Sequence, residues 1–236
     1  MQIKYPIRIN RYLALNNYAT RRDADELIKK GLIFINEKKA ILGSQVQEGD
    51  KVTVSDRAPK KKYVYYAYNK PFGISTNKDS NAKDILETTK FPTAVFPIGR
   101  LDKDSYGLII MTNDGRITDR LLSPKYVHEK EYVVKTDLNI SDKFIELIQA
   151  GVRFDGIMSK KCKARRKGEQ KDTFYITLTE GKKRQIRRMC EALHHQVIDL
   201  KRVRVMNIEL DGLASGEYRV IKDRELGEFL KLLKLT

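Results

Sequence analysis

Two aspartates are the first residues whose type and spacing could do chemistry in this chain. Asp102 and Asp104 lie two positions apart, inside a segment bounded by Gly99 and Gly107. Paired carboxylates can hydrolyse glycosidic bonds, but the two acids of such a pair usually come from separate elements that hold them several ångströms apart. Residues two apart point the same way in a strand and need not do so in a tight turn. Spacing alone therefore leaves a paired site and two exposed turn acids both open.

A predicted helix near residues 184–193 carries a second set of candidate residues. Four apolar residues have the i, i+3, i+4, i+7 spacing of a buried stripe, namely Ile186, Met189, Cys190 and Leu193. Four charged residues repeat this spacing on the adjacent face, namely Arg184, Arg187, Arg188 and Glu191. Such a helix can present guanidinium groups together to a carboxylate or to phosphates. The competing interpretation is an ordinary solvated arginine face.

The charge of the chain favours a polyanionic partner. The 236 residues include 47 Lys or Arg and 31 Asp or Glu, which gives a net charge of +16. Residues 160–204 alone hold 15 of these bases and 5 of these acids. Such a concentration of positive charge is expected of a nucleic-acid-binding surface. A basic membrane-surface helix is the alternative, but this stretch mixes helix and strand patterns and lacks a bulky aromatic face.

Several other classes of protein do not fit the sequence. No apolar run approaches the roughly 20 residues of a membrane span, and the N-terminal residues lack the apolar stretch of a secretion signal. We therefore expect a cytoplasmic protein without membrane contact. Cys162 and Cys190 have neither CxxC spacing nor paired histidines nearby, so we expect reduced thiols and no metal site.

Residues 1–57 read as a small unit that precedes a larger one. A helix starts near Arg8, and Thr20 has the form of a cap for a second helix that ends near Gly31. Short strands follow at 32–36 and 51–54. Because so small a unit has a marginal core, it suits an attached binding module. Residues 58–62, with a proline and three lysines, are predicted to be a linker.

Residues 63–236 read as an α+β unit. Strands are predicted at 63–68, 107–112, 132–134 and 173–179 from their apolar and alternating patterns. Ser141 can cap a helix that ends at Gly151.

Two resemblances to known families come from these motifs. Residues 1–57 resemble an S4 RNA-binding domain in Arg8-Ile9-Asn10-Arg11-Tyr12-Leu13, Thr20-Arg21 and Gly49-Asp50. The larger segment resembles the RsuA/RluB/RluE/RluF branch of the pseudouridine synthases, and most of all its RluF-type subgroup, in four elements. They are Asn69-Lys70-Pro71-Phe72-Gly73, Gly99-Arg100-Leu101-Asp102-Lys103-Asp104-Ser105-Tyr106-Gly107-Leu108, Lys130-Glu131-Tyr132, and Glu180-Gly181-Lys182-Lys183-Arg184-Gln185-Ile186-Arg187-Arg188-Met189. This resemblance implies an S4 domain followed by a catalytic domain with a central mixed, mainly antiparallel sheet flanked by helices.

The resemblance also implies roles for individual residues. Asp102 matches the family's nucleophile, Arg187 its basic partner that keeps the carboxylate ionised, and Tyr132 the tyrosine that stacks on the target base. The reaction breaks the N-glycosidic bond of a uridine, rotates the base and rejoins it through carbon, so it needs neither metal nor cofactor. The residues expected to contact RNA are Arg8, Arg11, Arg21, Arg22, Lys70, Arg100, Leu101, Lys103, Lys182, Lys183, Arg184, Gln185 and Arg188.

The expected substrate is ribosomal RNA, with 23S rRNA of the large subunit favoured and the protein acting as a monomer. Two alternatives remain at this point. One is a tRNA pseudouridine synthase. The other is a non-catalytic rRNA-binding or ribosome-assembly factor with the same fold, which would have no need of Asp102, Tyr132 and Arg187 together.

Overall fold

The computed structural model describes residues 3–59, 62–78 and 82–235. The chain divides into two compact units, with the first change of unit between Tyr63 and Val64. Asp114–Arg116 belong with the first unit. The domain limits expected from the sequence stay predictions, and Lys60 and Lys61 of the predicted linker lie outside the described residues.

The first unit contains short elements around a small apolar core. Its helices and strands are β1 (Ile7–Arg8), α1 (Ile9–Leu15), α2 (Arg21–Lys29), β2 (Ile33–Ile35), β3 (Lys38–Lys39), β4 (Gln45–Val46) and β5 (Val52–Val54). Thr20 caps α2 as predicted, because its hydroxyl accepts a hydrogen bond from the Asp23 amide at 3.0 Å. The Asp23 carboxylate accepts from that hydroxyl at 2.9 Å. Leu13, Ala24 and Ile33 are fully buried where the helices meet the strands.

The second unit is built on one mixed sheet. Its strands are β6 (Tyr65–Lys70), β7 (Phe96–Ile98), β8 (Tyr106–Thr112), β9 (Lys130–Thr136), β10 (Arg153–Phe154), β11 (Ile157–Met158), β12 (Lys163–Lys167), β13 (Gln170–Leu178), β14 (Val197–Val205), β15 (Ile208–Glu209) and β16 (Tyr218–Val220). Its helices are α3 (Ile85–Thr88), α4 (Ile117–Leu122), α5 (Asp142–Ala150), α6 (Gln185–Glu191) and α7 (Asp223–Leu232), with a 3-10 turn at Pro124–Tyr126.

The strand order of the sheet is β12-β13-β9-β14-β8-β6-β16, with β15 beside β14 and β7 beside β8. Within the described residues only β14 and β8 run parallel, and the other neighbouring strands run antiparallel. The predicted α+β class, with a mixed and mainly antiparallel central sheet flanked by helices, is confirmed.

Two apolar clusters hold the sheet and the helices together. One packs Phe144 and Ile148 of α5 and Met189 of α6 against Phe174 and Ile176 of β13. The other cluster gathers tyrosine rings with aliphatic side chains, namely Tyr66, Tyr68, Ile85, Val95, Ile109 and Met111. The tyrosines of β6 are therefore core residues, as their strand pattern predicts. No helix in the described part of the chain is both long enough and apolar enough to cross a bilayer.

Candidate active site

A cavity of about 540 Å³ opens in the second unit, where strands β8, β9 and β14 adjoin. Asp102 and Tyr132, which lie 30 positions apart in the sequence, both line it. Apolar side chains form part of the wall, namely Leu101, Ile110, Leu178, Ile186, Leu200 and Val205. A volume of this size falls in the roughly 300–1,000 Å³ range of small-molecule sites.

Asp102 is held in a turn that precedes β8. The Thr76 hydroxyl donates to the Leu101 carbonyl at 2.6 Å and accepts from the Leu101 amide at 3.0 Å. On the other side, the Ser105 amide donates to the Asp102 carbonyl at 3.0 Å. Backbone hydrogen bonds on both sides of Asp102 therefore fix its position, while its half-buried side chain lines the cavity.

Lys70 is buried close to this turn. Its side chain is 0% exposed, and its ammonium donates to the carbonyl oxygens of Pro71 at 2.9 Å and Ile74 at 2.6 Å. Burial lowers the pKa of Lys70 to about 8, although the carboxylates of Asp104 and Asp102 oppose that shift. The predicted contact of Lys70 with RNA stays a prediction, and in the fold this ammonium faces protein oxygens.

Helix α6 directs two arginines to Asp104. Arg184 Nη1 lies 2.8 Å and Arg187 Nε 3.3 Å from Asp104 Oδ2. Arg187 also donates to the Asp104 carbonyl at 2.6 Å and to the Val197 carbonyl at 2.8 Å. These contacts differ from the expected direct pairing of Arg187 with Asp102. The turn sends the Asp104 side chain toward α6, while Asp102 borders the cavity.

Strands β9 and β14 place two more cations beside Tyr132. Arg202 lies directly opposite Tyr132 in the sheet, and Lys130 lies two residues before Tyr132, so the three side chains share one face. All three line the cavity. Arg202 is only 4% exposed, and its Nε donates to the Leu108 carbonyl at 2.6 Å. Burial lowers the pKa of Lys130 to about 8, with the nearby Arg202 charge adding to the shift.

Gly107 allows β8 and β14 to come this close. Its φ is +104°, and a Cβ added there would lie 2.3 Å from the Arg202 carbonyl oxygen. A side chain at position 107 would therefore be strained and would also collide with backbone. The glycine sets the strand spacing that brings Arg202 into the cavity wall.

The remaining residues predicted to contact RNA fall into three groups. Arg100, Lys103, Lys183 and Arg184 are exposed, and Lys182 and Arg188 are partly exposed. Arg188 is paired with Asp155 and Lys182 with Glu180. Leu101 is 7% exposed and borders the cavity.

Gln185 is the first residue of α6 and also lines the cavity. Its side chain is 4% exposed and donates to Glu180 Oε1 at 2.6 Å, while its own oxygen accepts from the Lys182 amide at 3.0 Å. These bonds close the loop that leads into α6. The expected contact of Gln185 with RNA stays a prediction, and its polar atoms are bonded inside the protein.

The arginines predicted to contact RNA in the first unit are all exposed, namely Arg8, Arg11, Arg21 and Arg22. They lie on or beside α1 and α2, whose apolar faces pack inward. Their positions leave them accessible to a ligand.

Sequence reasoning missed the roles of Thr76 and Arg202 and gave Lys130 none. Thr76 lies outside the matched motifs. Arg202 follows Leu200 at strand spacing, and this alternation was the available signal that it faces inward. Lys130 stands in a matched motif two residues before Tyr132, which already placed it on the face of that ring.

Among the described residues, no group of His, Cys, Asp and Glu is arranged to hold a metal ion. Cys162 and Cys190 are free thiols. Burial raises the pKa of Cys162 to about 11 and that of Cys190 to about 12.

Comparison with known proteins identifies the class to which this fold and cavity belong. The family model for RNA pseudouridylate synthase matches residues 64–192, so the chain belongs to the pseudouridine synthase family. It is 43% identical to the dual-specificity RNA pseudouridine synthase RluF of Salmonella typhi, over 96% of this chain and 80% of that protein. It is 33% identical to the ribosomal large subunit pseudouridine synthase B of Bacillus subtilis, over 93% of both chains. A crystal structure of a pseudouridylate synthase matches with a TM-score of 0.69 and 27% identity, over 96% of this chain and 99% of that one.

Proposed function

We propose that this enzyme converts a uridine of large-subunit ribosomal RNA into pseudouridine, with Asp102 as its nucleophile. The observation that carries the proposal is the meeting of Asp102 and Tyr132 in one cavity of the catalytic fold. Two similar proteins support the substrate class, since one is named a large-subunit synthase and the other a dual-specificity RNA synthase. The proposed setting is the cytoplasm, with the protein acting as a monomer.

The chemistry asks for a carboxylate that stays ionised in a partly dry pocket. Asp102 attacks the nucleotide, at the ribose C1′ or at C6 of the base, and the C1′–N1 bond breaks. The base then rotates and C5 bonds to C1′, while the bond between Asp102 and the nucleotide breaks and the carboxylate is regenerated. The C5 proton is lost to solvent, and N1 takes up a proton. Burial disfavours a carboxylate unless a cation lies nearby. Lys70 is the candidate for that cation, because its buried ammonium lies close to the turn and the carboxylates of Asp104 and Asp102 oppose the lowering of its pKa by burial.

Tyr132 would hold the base that has left its stack. Stacking on an aromatic ring contributes roughly 1–3 kcal/mol per base, which helps offset the cost of unstacking. Arg100 and Lys103 are exposed on either side of Asp102, where they can hold the displaced RNA backbone.

Arg187 acts as a positioning residue in this proposal. Its guanidinium joins α6 and β14 to the carboxylate and the carbonyl of Asp104. It thereby holds the turn that presents Asp102.

The first unit is proposed to be an S4 RNA-binding domain. Its exposed arginines on α1 and α2 can neutralise phosphates of a folded RNA. Such phosphate contacts do not by themselves select a particular RNA sequence. In the second unit, the exposed bases near α6 can also bind phosphates.

Replacing Asp102 with Asn or Ala tests the nucleophile. We expect tritium release from a [5-³H]uridine-labelled large-subunit rRNA transcript to fall by at least about 10⁴-fold. RNA affinity, measured by filter binding, should stay within about threefold, because one charge in a large interface changes. Asp142→Asn is the control, since its carboxylate is 91% exposed on α5. Activity that survives either change at position 102 contradicts the assignment.

A structured tRNA is a second candidate substrate, favoured by the dual specificity in the name of the Salmonella typhi relative. Mass-spectrometric mapping of pseudouridine in rRNA and tRNA, from cells with and without this protein, distinguishes the two. Loss of the modification from tRNA alone contradicts the rRNA assignment.

A further inference from the structure

The wall of the cavity holds two cations for which the reaction described so far has no use. Lys130 and Arg202 both line it, and each lies beside Tyr132 on the same sheet face. Among the described residues, neither forms an ion pair with a carboxylate. Lys130 Nζ donates one long hydrogen bond, 3.4 Å, to the His128 carbonyl.

Arg202 is bound to the protein through one nitrogen. Its Nε donates to the Leu108 carbonyl, and within the described chain no protein oxygen accepts from its terminal Nη atoms. Arg202 is 4% exposed, and its terminal nitrogens are not completely buried, so a hydrogen-bond acceptor can reach them. The residue lines the cavity, and a ligand in the cavity is the available acceptor.

The reaction creates a negative charge that these two cations can stabilise. When the C1′–N1 bond breaks, its electron pair passes to the base, and the charge spreads over N1, O2 and O4. If Asp102 adds to C6 instead, the electron pair moves to O4 as an enolate. Either route places negative charge on carbonyl oxygens of a base that lies beside Tyr132.

We propose that Lys130 and Arg202 form a cationic clamp that donates hydrogen bonds to the carbonyl oxygens of the flipped base and stabilises its anionic state. This inference rests on the proposed function. Base carbonyls fit better than phosphates, because Arg202 is buried and Lys130 half-buried on the sheet face that carries Tyr132. Arg100 and Lys183 also line the cavity, but they are exposed, as is Lys103, and exposed bases suit phosphates.

The decisive test measures single-turnover tritium release from the labelled large-subunit rRNA transcript at saturating enzyme. Loss of one donor that serves a developing charge costs roughly 10²–10³-fold in rate. We therefore expect Lys130→Met to slow the reaction by about 100-fold, with RNA affinity within about threefold of wild type. Lys130→Arg should recover most of that loss, because it keeps the charge and the donors.

Lys135→Met is the matched control. Lys135 is an exposed lysine of the same strand, with Asp172 as its 3.5 Å partner, and this variant should react at the wild-type rate. Arg202→Met should behave like Lys130→Met when it folds, as judged by thermal unfolding. Lys130 is only partly buried, so the Lys130 variants keep the test decisive even if Arg202→Met does not fold.

A pH profile separates this role from a structural one. Burial, with the Arg202 charge, sets the pKa of Lys130 at about 8, so wild-type kcat/KM should fall as pH rises through that value. Lys130→Arg should stay active to higher pH. The other titratable or charged groups around this cavity are Arg100, Asp102, His128, Tyr132, Glu180, Lys182, Lys183, Arg184 and Arg202, and the buried Lys70 has a similar pKa.

Three results would overturn the clamp. The first is a Lys130→Met rate within about threefold of wild type. The second is an alkaline fall that persists in Lys130→Arg, which would assign it to Lys70 or another group. The third is a change, in Lys130→Met, of the pH at which kcat/KM falls on the acid side of the profile. That result would make Lys130 a counter-ion of Asp102. Wild type that releases no tritium from rRNA contradicts the proposed function itself, and the clamp falls with it.

Discussion

Two sets of cations lie near the Asp102 turn, and they differ in what they bind. Arg184, which immediately precedes α6, and Arg187 of α6 contact the carboxylate of Asp104. Lys130 and Arg202, on β9 and β14, line the cavity and form no ion pair within the described residues. A cation whose charge the protein neutralises fixes the shape of the site, and a cation without a carboxylate partner stays available to a ligand. A basic motif therefore does not reveal by itself which of its members meets the substrate.

The largest effect should come from disturbing the spacing of β8 and β14, which brings Arg202 into the cavity wall. Gly107→Ala places a Cβ 2.3 Å from the Arg202 carbonyl at a φ of +104°. We expect it to lower the free energy of unfolding by roughly 3 kcal/mol or more, because backbone strain and a backbone clash add. Urea denaturation measures this change.

The control variant for this experiment should change the free energy of unfolding in the opposite direction. Gly227 lies inside α7 with open space around it, so Gly227→Ala should raise stability by about 0.5–1 kcal/mol. A Gly107→Ala protein as stable as wild type would mean that β8 and β14 can separate without cost. The placement of Arg202 would then not depend on the glycine.

The next largest effect should come from the cations that contact Asp104, and a double-mutant cycle measures it. Arg187→Ala should slow single-turnover pseudouridine formation by about 100-fold, since a small displacement of a catalytic group can cost that much. If Arg187 acts through Asp104, then Arg187→Ala combined with Asp104→Asn should be no slower than the slower single variant. Fully additive losses would contradict the positioning role and favour a direct action on the substrate.

The smallest effect should come from exposed cations that touch neither the turn nor the cavity. Arg21→Ala and Arg22→Ala, on α2 of the first unit, should weaken RNA binding uniformly. Each should also reduce the slope of log affinity against log salt by about 1 for every phosphate that the variant no longer neutralises. The single-turnover rate at saturating enzyme should not change. Filter binding across a salt series measures the slope, and an unchanged slope contradicts the proposed S4 role.

Much of this fold could be predicted from the sequence, because its patterns are local. The alternation in β13, the Ser141 cap of α5 and the apolar stripe of α6 each follow from residues close together in the chain. The short α3 gave a weaker signal. Strand β14 was harder still, because its charged residues, among them Asp199, Lys201 and Arg204, obscure the alternation that buries Leu200 and Arg202.

The candidate site was only partly predictable. Asp102 stands in a long motif and Tyr132 in a short one, and both could be predicted. Whether Arg187 meets Asp102 or Asp104, however, depends on how a turn is oriented in three dimensions. The same holds for Lys70 and Gln185, which look like surface residues beside a turn and a loop. Both are buried only once the chain has folded, so the local sequence pattern does not predict their burial.

The two thiols have a practical consequence for chemical labelling. Because burial sets their pKa at about 11 for Cys162 and about 12 for Cys190, roughly one molecule in ten thousand or fewer carries a reactive thiolate at pH 7. Maleimides and mild oxidants should therefore leave the native protein almost untouched. A fluorophore attached through a cysteine introduced on the surface would report on that position alone, without prior removal of the natural cysteines.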